Sequence, residues 1–367
     1  MTAAGLYVHV PFCLTRCGYC DFNVVVGRER EAGRYLRAVA AEASREAPAW
    51  RGTPFASIYV GGGTPTLVPA GELVQLLDRL RKAFAVAPGA EVTVEANPET
   101  VDERSLRTLR AGGVNRLSLG AQSFDPAVLA ALDRAHGPDT VREAVRAARR
   151  GGLENVSLDL IYGAGPEDGP SWARTLRAAL DLDVEHVSCY ALTVEPNTEL
   201  ASRVRGGSVP APDADEQADR YEAACRVLGG AGFDHYEVSN WARPGRRSVH
   251  NGGYWEGRPY LGLGAGAHSF AAARRRWNVR PLGRYVAAVE AGRSPVGGEE
   301  RPDTTARRTE RLLLGLRTAA GLPLAGLDPE RIRALAEARL LRLDGDRAVP
   351  TEPGMLLANE LVLELSG

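Results

Sequence analysis

Residues 6–20 read LYVHVPFCLTRCGYC, and this stretch decides the fold. It opens with an apolar run, Leu6–Val10, and continues at once into a segment that carries Cys13, Cys17 and Cys20. The run has the length and apolar character of a buried strand, and the proline and polar residues after it indicate a loop. The three cysteines are therefore expected at the carboxyl edge of a sheet.

Further along the chain, as far as Tyr190, short apolar runs alternate with longer amphipathic stretches, as in βα units. The predicted strands are Leu6–Val10, Ser57–Val60, Glu91–Ala96, Arg116–Leu119, Asn155–Leu160 and His186–Tyr190. The predicted helices are Glu29–Ala47, Gly71–Ala85, Asp102–Ala111, Thr140–Arg150 and Ser171–Leu180. Parallel strands need such crossovers, so the pattern predicts an α/β fold: a partial (β/α)6 TIM-like barrel or a doubly wound sheet.

We favour the partial barrel because polar residues stand at or just after the carboxyl ends of predicted strands, where barrel sites form. These residues are Glu95, Gln122 and Asp159. We expect the barrel to occupy residues 1–240, and a Gly- and Arg-rich region at 241–302 to close its open side. Residues 303–367 read as two helices and a hairpin around Asp344–Asp346, which predicts a small α+β, winged-helix-like domain whose expected role is packing.

Composition excludes several classes of protein. The 367 residues carry 45 basic and 46 acidic side chains, so net charge gives no reason to expect nucleic-acid binding. No leader and no long apolar span is read in the sequence. The odd number of cysteines, five, with three of them within eight residues, favours a metal site in a reducing cytoplasm over a disulfide framework.

Three thiolates in one short loop can hold an iron–sulfur cubane and leave one iron free for another ligand. A structural zinc site, completed by His9 or by a distant residue, is the alternative. Cys189 and Cys225 are expected to be ordinary buried thiols.

The Cys-x3-Cys-x2-Cys spacing, with Tyr19 before the last cysteine, resembles the signature of the radical S-adenosylmethionine (SAM) superfamily. The resemblance implies a [4Fe–4S] cluster on Cys13, Cys17 and Cys20, with SAM chelating the free iron. Gly61–Pro65 follows the second predicted strand, and its glycines allow a ligand to approach the backbone, although a purely structural turn is the alternative. The Glu95 carboxylate could accept ribose hydroxyls or cap the next helix.

The order of these motifs resembles the oxygen-independent coproporphyrinogen III dehydrogenase (oxidase) family over nearly the whole chain. That resemblance implies a first group of residues near the cluster-bound SAM, namely Tyr7, Gly62, Glu95 and His268. It implies a second group near another SAM-sized site, namely Tyr19, Gly63, Thr64, Gln122, Arg134, Asp159 and Ala191. It assigns no catalytic residue.

Two features are more similar to the heme chaperone (HemW-type) branch of that family. The dehydrogenase has a further cysteine where this chain has Phe22, and its long leading segment has no counterpart before Leu6. In addition, the stretch His250, Asn251, Gly252, Gly253, Tyr254 and Trp255 resembles a motif of the chaperones. His250 is hypothesised to contribute to heme binding; a hydrogen-bonded histidine packed at the barrel mouth is the alternative.

The expected function is heme binding and delivery, and coproporphyrinogen chemistry is the rival. The resemblance implies heme as cargo and heme-acceptor proteins, membrane-associated ones included, as partners; homodimerisation stays open. The basic residues around Trp277 could hold heme propionates, although a solvated basic face is the alternative, and they are Arg274, Arg275, Arg276, Arg280 and Arg284.

Overall fold

The computed structural model describes residues 2–366. Met1 and Gly367, the end residues of the first and last expected domains, lie outside this range. In chain order the strands are β1 (Ala4–Val10), β2 (Phe12–Cys13), β3 (Val25–Val26), β4 (Pro54–Gly62), β5 (Ala85–Ala96), β6 (Arg116–Gln122), β7 (Val156–Tyr162), β8 (His186–Ala191), β9 (Asp234–Glu237), β10 (Asn240–Ala242), β11 (Tyr260–Leu263), β12 (His268–Ala271), β13 (Arg274–Asn278), β14 (Val296–Glu300), β15 (Leu322–Pro323), β16 (Leu341–Asp344) and β17 (Arg347–Pro350).

The helices follow the amphipathic stretches and add several short ones. In chain order they are α1 (Ala32–Glu46), α2 (Ala70–Ala83), α3 (Glu103–Ala111), α4 (Pro126–Ala131), α5 (Pro138–Arg150), α6 (Gly169–Leu180), α7 (Glu199–Arg205), α8 (Ala214–Gly230), α9 (Val249–Trp255), α10 (Leu282–Glu290), α11 (Thr304–Gly315), α12 (Pro329–Glu337), α13 (Glu352–Leu356) and α14 (Ala358–Ser366).

The central sheet confirms the α/β prediction and is consistent with a partial barrel. Its six predicted strands lie side by side in the order β1-β4-β5-β6-β7-β8, and every neighbouring pair among them is parallel. A seventh parallel strand, β11, pairs with β1 and was not predicted. Antiparallel strands β12, β13 and β14 continue that side, and β10 and β9 continue the other. Strands β11 to β14, from the region 241–302, thus extend the sheet beyond β1, and the expected closing of the barrel by this region stays a prediction.

One face of the parallel strands is apolar and the other is polar. In β1, Leu6, Val8 and Val10 are buried in the main hydrophobic core with side chains of α1 and α2. Tyr7 alternates with them and lies 6.2 Å, ring centroid to ring centroid, from Tyr59 of β4. The alternation places a row of polar and aromatic side chains inside the curve of the sheet, where a ligand can be enclosed.

Residues after 303 form a separate apolar cluster. Two of its helices, α11 and α14, pack together beside the three-stranded antiparallel sheet β15-β17-β16. Backbone contacts join this part to the central sheet, including a hydrogen bond from Val238 N to Arg317 O of 2.8 Å. The domain boundaries at 240 and 302 remain a prediction. No helix within residues 2–366 combines the length and apolarity that a membrane span requires.

Candidate cluster and cofactor site

The cysteine loop is anchored on both sides by backbone contacts. β2 pairs with β3, so that Cys13 lies opposite Val26. Gly18 N donates to Oδ2 of Asp133 over 3.1 Å, and Gly18 O accepts from Leu200 N over 2.8 Å. A Cβ at Gly18 would come within 2.6 Å of that same Asp133 oxygen, so glycine is needed for this close approach. The loop is therefore held in place by segments that follow β6 and β8.

A hydrogen-bonded chain connects two of the cysteine sulfurs. Thr64 Oγ1 lies 3.7 Å from Sγ of Cys13 and accepts from Asn97 Nδ2 over 3.1 Å. Asn97 Oδ1 accepts from Arg134 over 2.6 Å, and a second guanidinium nitrogen of Arg134 lies 3.5 Å from Sγ of Cys17. The ends of β4, β5 and β6 thus jointly position the cysteine loop.

The glycine loop packs directly against the cysteine loop. Gly63 N donates to Val10 O over 2.8 Å, and Thr64 N donates to Phe12 O over 2.7 Å. Gly62 has φ of 116°, and a Cβ there would lie 2.4 Å from Nδ1 of His9. Side chains are therefore excluded at this position, as the close approach of two loops requires.

Glu95 occupies the end of β5, where its carboxylate contacts two donors. Tyr59 Oη donates to Oε1 over 2.7 Å, and Gly62 N donates to Oε2 over 2.9 Å. Burial raises the pKa of Glu95, and the nearby Asp159 carboxylate raises it further. Each carboxylate oxygen has a further lone pair, so Glu95 can still accept hydrogen bonds from donors such as ribose hydroxyls.

Asp159 lies further from the carboxyl edge of the sheet than the sequence predicted. β7 continues to Tyr162, so Asp159 is at the centre of this strand and the prediction that it ends a strand was wrong. Its carboxylate accepts from Ser118 over 3.0 Å and from Ser188 over 2.8 Å. Burial raises the pKa of Asp159. This carboxylate is thus already bonded within the barrel.

The other predicted residues of the second group lie near the ends of β6 and β8. Gln122 ends β6 with φ of 62°, and its amide lies beside Asn97 and Arg134 around Gly120. Tyr19 packs in a small apolar cluster with residues of α4 and α7. Ala191 ends β8 and is exposed. Gln122 therefore lies beside the chain of residues that joins Cys13 to Cys17.

The side chains around the cysteine loop fit a bound anionic group. Nε of Arg134 is buried and has no hydrogen-bond partner in the described part of the chain, although it lies among the residues that join Cys13 to Cys17. A buried guanidinium N–H without a partner is costly, and a ligand carboxylate or a cluster thiolate would supply one. The cysteines are free of disulfides, and burial raises the pKa of Cys13 to about 11. Within residues 2–366, no three His, Cys, Asp or Glu side chains are arranged to hold a single metal ion.

His250 lies in the barrel interior, at the end away from the cysteine loop. Nδ1 of its ring lies 2.8 Å from Ser57 Oγ, and Nε2 lies 2.9 Å from the Tyr254 hydroxyl. The ring stacks on Tyr59 at 5.0 Å, and burial lowers its pKa to about 3. Ser57 lies in the amino-terminal half of β4, whereas the barrel mouth is at the carboxyl ends of the strands. Its partner His250 therefore packs away from the mouth. Both ring nitrogens are thus hydrogen-bonded, as the alternative expects, although the ring is not at the mouth; a contribution of His250 to heme binding stays a prediction.

The short helix α9, which carries His250 and Asn251, is anchored by a carboxylate. Glu91 of β5 accepts from Val249 N over 3.0 Å and from His250 N over 3.0 Å. Ser248 caps the same helix by accepting from Asn251 N over 3.3 Å. Acceptors at a helix N-terminus satisfy free N–H groups, which explains how a sequence with two consecutive glycines forms a helix here.

A large open cavity of about 1570 Å³ adjoins the predicted SAM residues. Tyr7, Gly62 and Glu95 line one part of it, and α9 contributes Tyr254 and Trp255. The other walls come from β12, β13 and α11, and they include His268, Trp277, Arg280 and Arg311. The cavity therefore connects the expected SAM residues with two of the predicted heme residues.

Most of the basic run around Trp277 is neutralised within the fold. Arg274 pairs with Glu299 at 3.2 Å, Arg275 pairs with Glu300 at 2.6 Å, and Arg276 pairs with Glu46. The guanidinium of Arg280 instead makes one hydrogen bond among the described residues, to the Asp21 carbonyl oxygen over 3.5 Å. The run is thus mainly an ion-paired strand edge, and Arg280 is the member that both lines the cavity and lacks a carboxylate partner.

Sequence reasoning missed three residues that organise this site. Asn97 bridges Thr64 and Arg134, Tyr59 donates to Glu95, and Glu91 holds α9. Asn97 follows Glu95 by two residues, so its place after the same strand was a usable signal. Tyr59 and Glu91 carry no such signal, because their partners are distant in sequence.

The chain is similar to known proteins over nearly its whole length. The family model of the Radical SAM superfamily matches residues 7–179. The heme chaperone HemW of Mycobacterium tuberculosis is 45% identical, over 99% of this chain and 95% of the relative. HemW of Bacillus subtilis is 33% identical, over 97% of each chain.

A solved structure agrees in fold. Coproporphyrinogen III oxidase (HemN) from Escherichia coli, a radical SAM enzyme, superposes with a TM-score of 0.83 at 24% identity, over 99% of this chain and 90% of that chain. The conserved architecture confirms the predicted fold class, and the near-complete matches to HemW confirm the predicted branch. The chain belongs to the radical SAM superfamily and, within it, to the HemW heme chaperone family.

Proposed function

We propose that this protein binds heme and delivers it to acceptor proteins. The observation that carries the proposal is the 45% identity to a heme chaperone over 99% of the chain. The match extends over nearly the whole chain and is not confined to one motif. Heme is the cargo in this account and not a resident cofactor.

The cavity supports the proposal by its size and its walls. Its volume of about 1570 Å³ exceeds the roughly 300–1,000 Å³ of ordinary small-molecule pockets. Tyr254, Trp255 and Trp277 supply flat apolar surfaces of the kind that a porphyrin ring contacts. The cavity is open to solvent, which suits a heme that must be released to an acceptor protein.

We propose that Cys13, Cys17 and Cys20 hold a [4Fe–4S] cluster and that SAM binds beside it. Such a cluster, when bound, supplies an electron-transfer centre with one iron open to a further ligand. Tyr7, Gly62 and Glu95 would bind SAM, with Glu95 accepting from its ribose hydroxyls. Thr64, Asn97 and Arg134 would hold the cysteine loop and donate toward its sulfurs.

The rival function is oxidative decarboxylation of coproporphyrinogen III. The fold is shared with such an enzyme, but a shared fold at 24% identity does not assign an activity. Phe22 replaces the cysteine of the dehydrogenase motif, and its side chain is 60% exposed beside the cysteine loop. This departure favours the chaperone function.

The test uses anaerobically reconstituted protein and two parallel assays. Hemin titration should show saturable binding, and incubation with coproporphyrinogen III, SAM and a reductant should leave the tetrapyrrole unchanged. Formation of protoporphyrinogen, detected by mass spectrometry, would instead assign the decarboxylase activity. Bovine serum albumin at equal concentration controls for nonspecific hemin uptake.

We further propose a cytoplasmic location and acceptor proteins that include membrane-associated hemoproteins. Homodimerisation is testable by light scattering with and without the cluster. A mass that doubles on reconstitution would assign the cluster a role in assembly, and an unchanged mass would exclude that role.

A further inference from the structure

The six histidines of the chain differ sharply in what surrounds their rings. His9 is bonded at both nitrogens, to Tyr7 and to Asn23 O. His186 is likewise bonded to Ser157 and Tyr236, and His250 to Ser57 and Tyr254. His136 contacts Ala121 O at 3.0 Å and Glu99 at 3.2 Å from its two nitrogens.

The remaining two histidines lie on strands outside the parallel core. His235 is half-buried, with Trp241 stacked on its ring at 4.3 Å and Tyr221 against its edge. His268 begins β12, is exposed, and makes no side-chain hydrogen bond within residues 2–366. Among the described histidines it is the one whose ring nitrogens are both open to a ligand.

His268 also occupies the right surroundings for a flat macrocycle. It lines the large cavity, and its ring stacks on Trp277 with centroids 5.8 Å apart and planes 27° apart. The two residues face each other across the β12–β13 pair, which fixes the imidazole on a rigid strand. Tyr254, Trp255 and Phe270 line the same cavity.

The surroundings of His268 favour the neutral form of its imidazole. Partial burial lowers its pKa, and the positive charges of Arg275 and Arg280 lower it further, against an opposing effect of Glu300. A neutral imidazole has a free lone pair on one ring nitrogen, which is the form that binds heme iron.

Cations for the heme carboxylates lie around the same cavity. Within residues 2–366, Arg280 has no carboxylate partner, and the exposed side chain of Arg311 on α11 makes no hydrogen bond. Both line the cavity that contains His268. Arginine binds carboxylates through paired N–H groups, so these two side chains suit propionates.

We propose that His268, which the family resemblance implied near the cluster-bound SAM, is instead the protein ligand of the heme iron in place of His250, with Trp277 against the macrocycle and Arg280 and Arg311 at the propionates. The proposal rests on the proposed function, because it names the binding site of the same cargo. It assigns His250 and its partner Tyr254 to the wall that supports the cavity.

The test compares full-length, reconstituted proteins loaded with one equivalent of hemin. With the cluster oxidised and diamagnetic, electron paramagnetic resonance reports the ferric heme alone, and optical difference spectra follow the Soret band. His268→Ala should lose the imidazole signature and at least tenfold in hemin affinity, and added imidazole should restore the signature. His268→Cys should give the spectrum of a thiolate-ligated ferric heme.

His235→Ala is the matched control, since it removes an imidazole outside the cavity and should keep the wild-type spectrum. An unchanged heme spectrum in His268→Ala, or loss of the imidazole signature in His250→Gln with His268 intact, would overturn the proposal. Failure of the wild type to bind hemin would be a different result, because it would refute the proposed function itself. Iron and sulfide content and thermal melting of each variant establish that the fold and cluster are retained.

Discussion

The guanidinium of Arg134 lies 3.5 Å from Sγ of Cys17, and its other terminal nitrogen lies 2.6 Å from Oδ1 of Asn97. Arg134 comes from the segment after β6, whereas Asn97 follows β5. Because Asn97 in turn contacts Thr64, the cation links the cysteine loop to the ends of three neighbouring strands. The cluster site thus depends on a half-buried arginine that is not itself a cluster ligand.

Removing this cation should weaken retention of the cluster. In Arg134→Ala, Asn97 Oδ1 and Gly120 O lose a donor, and we expect a cost of about 1–3 kcal/mol in the free energy of unfolding. Iron and sulfide per chain after anaerobic reconstitution should fall clearly below wild type. Arg146→Ala, the same change at an exposed ion pair with Glu143, should leave both values unchanged. Equal iron content in the two variants would contradict this role.

The carboxylate of Glu95 should matter for SAM affinity more than for folding. Glu95→Gln removes a charged acceptor, and a hydrogen bond to a charged group contributes about 1.5–3 kcal/mol. Isothermal titration of the reconstituted variant should therefore show SAM affinity reduced about tenfold or more. Glu167→Gln, at a buried carboxylate that contacts Gly163 and Arg220, is the matched control. Unaltered SAM affinity in Glu95→Gln would remove this residue from the site.

The alternation of apolar and amphipathic segments predicted the parallel core well. All six predicted strands exist, and β4 and β5 are longer than expected because pairing with neighbouring strands continues through residues such as Pro54 and Gly61, which by themselves indicate turns. β11 escaped prediction because its four residues, Tyr260–Leu263, gain their strand conformation from pairing with β1. Helix α9 escaped because its stabilising carboxylate, Glu91, is far away in sequence.

The site was predictable where motifs are local and not where contacts are long-range. The three cysteines lie in one loop, as the spacing indicates, and Gly62 and Glu95 lie in direct contact beside it. For His250, the sequence could not distinguish a free imidazole from a bonded one, because its partners Ser57 and Tyr254 belong to different elements. The exposure of His268 likewise could not be predicted from the sequence, because it depends on the edge of the sheet that β12 and β13 form.

A buried carboxyl near the cavity should make stability depend on pH. Burial raises the pKa of Glu237 from 4.5 to about 7. Between these values the folded state holds the proton and the unfolded state releases it, so stability falls as pH rises from about 4.5 to about 7. Glu237→Gln mimics the protonated form, and relative to wild type it should gain up to about 3 kcal/mol across that window. Denaturant unfolding at several pH values measures the difference, and a constant difference would contradict the burial argument.

Loss of the Glu91 carboxylate should release helix α9. In Glu91→Ala, Val249 N and His250 N lose their acceptor, at a cost of about 1–3 kcal/mol. Hydrogen exchange of residues 248–257 should accelerate more than exchange of the parallel strands. Asp102→Ala removes a cap from the exposed start of α3 and should accelerate exchange only there. Uniform acceleration across the chain in Glu91→Ala would mean that α9 does not open on its own.

The transfer of heme to another protein tests the central claim most directly. Reconstituted protein loaded with one equivalent of hemin is mixed with apomyoglobin, and the appearance of the myoglobin Soret band is followed over time. We expect transfer whose rate rises with the concentration of apomyoglobin, above the rate of passive heme release measured with excess of a heme-scavenging globin mutant. Retention of heme by the loaded protein, or transfer no faster than passive release at every apomyoglobin concentration, would contradict it.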